Sequence, residues 1–264
     1  MKVIAFGTLK GGTGKTTVAF NVAGILAETN KVLLIDVDPQ SNLSDNVGID
    51  TADQGGLTIR EVLENPTRTY ADDVIVEAPM EQMPNIDIIA SHIRLTAVEM
   101  QLVGTPARER ILQRWIERNS EYLSKYDYII IDTNPSMGVI NQNAFVAADH
   151  IILVSDVSRK AIQGAELFAY LWGEIADAIR MDNKIDALVL NNYDCRIGLA
   201  RELFEFYKGN DDFGSIILDH VIPARVDVKN TELKYLPVNV TAPNSQACSA
   251  FRSVVKELIE REVL

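Results

Sequence analysis

Cysteine is scarce in this chain of 264 residues: Cys195 and Cys248 are the only two. Their placement matches neither a disulfide framework nor a C-x-x-C metal pattern, which leaves two free thiols and points to a reducing, cytoplasmic setting. The three histidines, His92, His150 and His220, show no ligand spacing and are assigned no chemistry. No segment reaches 18 uninterrupted apolar residues, and the N-terminus runs into an apolar strand without a signal-peptide pattern, so neither a membrane span nor export is expected. Basic residues are in deficit, 25 against 37 acidic for a net charge of −12. That balance works against broad nucleic-acid binding while leaving room for a local patch. Linkers, low-complexity tracts and internal repeats are missing too, so a single domain over residues 1–264 is expected.

What is present begins with residues 10–17, K-G-G-T-G-K-T-T, placed after an apolar run (3–6) and before a helix-like stretch (18–28). Gly11, Gly12 and Gly14 have no Cβ, so the chain can turn its amides inward as a nest around a polyphosphate. The following helix adds its positive end, Lys15 can reach the outer phosphates, and the Thr16 hydroxyl can meet Mg2+. The segment therefore predicts a nucleotide-phosphate site made by Gly11, Gly12, Thr13, Gly14, Lys15, Thr16 and Thr17. The ordinary template G-x-x-x-x-G-K-[ST] fails here, because its first glycine falls on Leu9 and a second lysine, Lys10, opens the loop instead.

Seven short runs rich in Val, Ile and Leu, at 2–8, 31–36, 86–90, 126–132, 150–155, 185–191 and 215–222, are mostly separated by helix-length stretches. Continuous apolar runs of this kind are what strands buried on both faces require. The alternation predicts an α/β fold with a doubly wound, mostly parallel sheet and helices on both faces, the ligand lying at the carboxyl ends of the strands. Acids stand at two such ends. Asp36 and Asp38 leave the second run on the same side in the order D-V-D-P-Q, and Asp132 closes the apolar run Y-I-I-I-D, where it would hold Mg2+.

Lys10 with its glycine loop resembles the deviant P-loop of the ParA/MinD superfamily of ATPases, and the D-x-D-P-Q run resembles that family's second signature. The resemblance covers essentially the whole chain. It implies ATP and Mg2+ as cofactors and a homodimer formed with ATP. Lys10 then acts across the dimer on the partner's phosphates, Lys15 acts in its own subunit, Asp38 orients the attacking water, and Thr16, Asp36 and Asp132 organise the metal. Residues 132–138 resemble the family's switch segment, with Asn134 where a proline is common. Segments 191–196 and 221–226 resemble those that hold the adenine, with Asn191 and Pro223 as candidates for base contact or as simple strand ends.

Within the superfamily, the chain looks most like the short partition ATPases without an N-terminal helix-turn-helix. This implies an ATP dimer on non-specific DNA, associated with the nucleoid, whose slow hydrolysis is stimulated by a ParB-like centromere-binding or adaptor protein. Arg196 matches an arginine with a DNA role in the family, and Arg225, Lys229 and Lys234 lie nearby, each equally readable as a solvated surface charge. Ala224 and Asp227 stand where the family has arginines. Positioning of a protein cargo is not separable from DNA partition on these residues. A MinD-like membrane role is weaker: Ala247, Ala250, Phe251, Val254, Val255, Leu258 and Ile259 make one apolar helical face, but the charges from Arg252 to Glu262 balance to zero, so the face is read as core. Arg110, Arg114 and Arg118 repeat at i, i+4, a row expected to face water.

Overall fold

The computed structural model of the chain describes residues 1–50, 56–225, 227–228 and 233–264. Seven strands share one sheet: β1 (Lys2–Gly7), β2 (Val32–Asp36), β3 (Ile75–Val76), β4 (Ile86–Ile89), β5 (Tyr128–Asp132), β6 (His150–Asp156) and β7 (Ile185–Asn191). Their order is β3-β4-β2-β5-β1-β6-β7, parallel throughout except for the antiparallel edge pair β3 and β4. Period-two alternation sorts each strand between two cores. Val3, Ala5, Leu33, Ile35, Ile129 and Ile131 face a layer that holds Trp115, Phe145, Phe168 and Trp172. Ile4, Phe6, Leu34, Ile130 and Ile152 face the opposite layer, with Phe20, Phe251 and Val254.

The first helix, α1 (Lys15–Leu26), starts three residues earlier than its apolar pattern suggests and buries every residue from Val18 to Leu26. A helix apolar on all sides must be covered on all sides. The sheet covers one side of α1 and the C-terminal helix Gln246–Glu260 the other, burying Ala247, Phe251, Val254, Val255 and Leu258. The apolar face of that C-terminal helix is therefore taken up by the core except at its end, where Ile259 is exposed. Two of the three stripe arginines do not simply face water: Arg110 Nη2 donates to the Ile179 carbonyl at 3.0 Å and Arg118 Nη2 to the Thr69 carbonyl at 2.6 Å. Arg118 also stands over the Tyr70 ring, and both it and Arg114 remain exposed.

The sheet differs from expectation at both edges. Residues 75–76 form a short edge strand whose apolar run, Val74-Ile75-Val76, is only three residues long. Residues 215–222, expected as a strand, do not join the seven; they lie along β7 through a bridge at Ile217, with a second bridge from Pro223 to Tyr193. The reason is a competing acceptor. Buried Glu257 takes the amides of Asp219 and His220 at 2.8 and 2.9 Å, so a ladder that runs through Leu218 resumes only at Ile222. Burial pushes the Glu257 carboxyl up, but those amides, the His220 ring and Arg261 together hold it below its ordinary value.

Because that folded-state value is lowered, the stabilisation is complete above the unfolded carboxyl value of about 4.3 and is lost as pH falls through the lower folded value. Glu257→Ala leaves two part-buried amides without that acceptor and should cost about 1–2 kcal/mol at neutral pH. Thermal melts at pH 7 and below pH 4 should show the deficit of Glu257→Ala shrinking in acid; an equal deficit at both would place its origin elsewhere.

Candidate nucleotide site

The carboxyl ends of β1, β2 and β5 lie side by side, with Phe6 opposite Asp132 and Asp36 opposite Asp132 in register. Here the chain leaves β1 into the glycine loop, at the point where strand order reverses, the usual ligand position in such sheets. Gly12 and Gly14 have φ of 79° and 80°, a backbone that side chains strongly disfavour. At Gly14 a Cβ would in addition run into the Asn191 side-chain nitrogen. The N-terminus of α1 carries no side-chain cap and no acid in its first turn, so nothing negative competes there with an anion drawn to the positive end of the helix.

Lys15, 6% exposed, forms an ion pair with Oδ1 of fully buried Asp132, while Thr16 Oγ1 donates to Oδ2 at 2.7 Å. Asp38 lines the same cleft of about 580 Å³. Burial raises the Asp38 carboxyl, countered by the Gln40 amide and Lys15 and reinforced by Asp132. Asp36, like Asp132, is fully buried behind the cleft and does not line it. Its oxygens accept from the Asp38 amide at 3.0 Å and from the Ser44 amide and hydroxyl at 2.9 and 2.8 Å, and burial followed by Asp132 pushes it up to about 7.

The residues fit a magnesium nucleotide. The Thr13 hydroxyl is buried without a partner among the described residues, and a Cβ on Gly12 would meet nothing within 4 Å, as suits a loop built to receive phosphate. Among the described residues no cluster of three or more acidic, histidine or cysteine side chains makes a metal cage. Thr16 and Asp132 instead offer the one or two protein oxygens that Mg2+ takes when phosphates and water supply the rest.

Lys10 diverges from Lys15. It pairs with Asp156 at the end of β6, 27% of its side chain remaining exposed, and Gly164 of the helix Arg159–Ala178 leaves room beside its Cβ. The sequence pattern passed over Asp156 because the expected strand stopped at 155; an acid one step beyond an apolar run was the available signal. Asn191 was also expected in a different role: its Nδ2 donates to the Thr13 carbonyl at 2.8 Å, bracing the loop from β7. Pro223 lies apart, lining a separate cavity of about 410 Å³ with Arg196 and Arg225.

The four basic residues offered for DNA are therefore only partly assembled. Arg196 grips Asp194 through Nε and Nη2 at 2.9 and 2.6 Å and holds that carboxyl down at about 2, while Arg225 bonds Gln246. Lys234 is exposed, and Lys229 lies outside the described residues. Arg201, which the sequence pattern did not single out, donates to the Cys195 carbonyl at 2.8 Å beside them.

If Asn191 braces the loop, Asn191→Ala should weaken ATP and GTP binding by the same factor, about threefold to tenfold for one lost hydrogen bond. Titrating both nucleotides decides this, since a residue that reads the base would change their ratio.

A family model described as an AAA domain matches residues 1–186. The sporulation initiation inhibitor protein Soj of Bacillus subtilis is 30% identical over 97% of this chain and 98% of its own length. Two solved structures share the fold: a plasmid partition protein of Borrelia burgdorferi bound to AMPPNP, with a TM-score of 0.78, 24% identity and 98% of both chains covered, and the cobyrinic acid a,c-diamide synthase of Mycobacterium smegmatis with bound ATP analogue and magnesium, with a TM-score of 0.80, 22% identity and 98% of this chain and 94% of that one covered. Along nearly its full length, then, the chain belongs to the Soj/ParA family of P-loop ATPases.

Proposed function

We propose that this ParA-like ATPase is a dimerisation switch of plasmid or chromosome partition that uses ATP and Mg2+, forms a homodimer in the ATP state and in that state holds non-specific DNA. The observation that carries the reading is the divergence of the two lysines. Lys15 is sunk in its own loop against Asp132, whereas the Lys10 side chain is turned out of the loop and pairs with Asp156 near the surface. A cation in that position can neutralise phosphate on a second subunit once it leaves Asp156.

Bound ATP with Mg2+ would supply the phosphoanhydride that is cleaved. Lys15 and the loop amides hold its charge, Thr16 and Asp132 hold the metal, and Asp38 orients the attacking water. Asp36 serves by fixing the Asp38 amide. Positioning and charge stabilisation of this kind carry most phosphoryl transfer. A partner such as a ParB-like centromere-binding or adaptor protein then stimulates a slow turnover, and the ATP dimer resides on the nucleoid.

DNA contact rests on Arg225, Lys234, Lys229 and Arg196, phosphate contacts that would weaken as salt rises. One observation favours a second reading, a protein cargo: Asp194 already neutralises Arg196, on a chain whose net charge is −12. A membrane-associated role draws no support from the C-terminal helix, whose apolar face lies against α1.

Lys10→Ala should bind nucleotide within about threefold of the parent but stay monomeric with ATP by light scattering; a normal ATP dimer in that variant removes the role across the interface. DNA binding titrated with salt should appear with ATP alone and fall steeply with ionic strength. Absence of binding at low salt transfers the proposal to a protein cargo.

A further inference from the structure

We infer that Asn141, acting through Asn134, is the positioning residue of the segment that follows Asp132, and that it sets the rate of ATP cleavage rather than the affinity for ATP; the inference rests on the ATPase reading above. Asn134 occupies a place where a proline would fix the backbone by its ring. Here the stiffness has another source. Asn141, fully buried near the start of the helix Val139–Ala147, points its Nδ2 at four acceptors: the Asn134 carbonyl at 2.7 Å, Asn134 Oδ1 at 2.7 Å, the Ser136 carbonyl at 2.8 Å and Ser136 Oγ at 3.3 Å. Its Oδ1 accepts from the Asn134 amide at 3.3 Å, a bond that proline could not donate.

Ser136 closes the ring. Its hydroxyl donates to Asn134 Oδ1 at 2.6 Å and accepts from the Gly138 amide at 3.2 Å. One amide group has two hydrogens, so the four acceptors share them, and Gln142 Nε2 adds a separate bond from the same helix to the Met137 carbonyl at 2.9 Å. On the strand side the segment is pinned by Thr133, whose hydroxyl donates to the Phe6 carbonyl at 2.7 Å, and by Asp132 with its hold on Lys15 and Thr16. Between the two anchors stands Pro135, which lines the phosphate cleft and is the nearest group to the missing Cβ of Gly11, at 4.0 Å. The clamp thus fixes the wall of the cleft that faces the glycine loop, next to the metal-side acid. Asn134 is otherwise tied within its own segment, to the Ser136 hydroxyl and amide, so among the described residues Asn141 is what joins Asn134 to the helix, and its release loosens the Asn134–Ser136 wall.

A displaced wall affects alignment more than binding, because the loop amides and Lys15 that grip phosphate stay where they are. Asn141→Ala and Asn134→Ala should each lower kcat by about tenfold or more, with KM for ATP within about threefold of the parent. Asn141→Asp keeps the acceptor but loses the donors and should match Asn141→Ala, whereas Asn134→Asp keeps the side-chain acceptor and should retain at least about half the parent rate. The double variant should be no slower than Asn141→Ala, since both changes remove one network. Without nucleotide, hydrogen exchange over residues 133–138 should be faster in Asn141→Ala than in the parent, a readout independent of turnover.

A kcat for Asn141→Ala within about twofold of the parent, or unchanged exchange over 133–138, overturns the clamp while leaving the ATPase reading intact. A parent that does not turn over ATP overturns that reading and this inference with it. Should Asn141→Ala fail to fold, the comparison of Asn134→Ala with Asn134→Asp decides alone: equal rates overturn the clamp.

Discussion

The ion pair between Lys15 and Asp132 is the contact on which the nucleotide end of this molecule depends. Three carboxylates, Asp36, Asp38 and Asp132, meet where β2 and β5 end in register, and burial makes each additional negative charge there costly. Lys15 supplies one positive charge from the loop after β1, and Thr16 satisfies the second Asp132 oxygen. Burial is the main cause that pushes Asp36 and Asp38 up; Asp132 adds to it at both, and Lys15 offsets it at Asp38. A site so arranged is complementary to a divalent metal carried in on phosphates, and the sheet register, more than any one side chain, creates it.

The same end of the sheet braces the loop from three directions. Asn191 at the end of β7 holds the Thr13 carbonyl, Asp156 at the end of β6 holds Lys10, and the segment after β5 brings Pro135 against Gly11. A glycine-rich loop is entropically expensive to order, and these contacts from neighbouring strand ends are what hold it in one shape. They also separate the two lysines, one committed to the cleft and the other held at its rim. Far from the site, Glu257 shows the same logic applied to the fold: one buried carboxylate draws two amides away from a strand ladder and ends the sheet at β7.

Much was legible in the chain because its signals are local. The glycine spacing with Lys15, the acids that close the apolar runs at Asp36 and Asp132, and the uninterrupted Val, Ile and Leu runs of buried parallel strands each depend on residues adjacent in sequence. These sufficed for the doubly wound sheet and for the loop at the end of β1. The apolar face of the C-terminal helix was equally local, and α1 covers it.

What failed was non-local. Residues 215–222 have the composition of a strand, but a carboxylate nearly forty positions away decides where their amides point. Arg110 and Arg118 look solvated along their own helix until the carbonyls of Ile179 and Thr69 arrive from other elements. Asn191 and Asn141 are ordinary amides in sequence, and only the folded chain shows one bracing the phosphate loop and the other gathering the segment after Asp132. The sequence by itself determined the sheet, the phosphate loop and the acids set around it, since hydrophobic periodicity and turn chemistry act over a few residues. The tertiary structure alone decided which polar side chain holds which loop, because a hydrogen bond is satisfied by whatever group the packing brings within 3 Å, regardless of its distance along the chain.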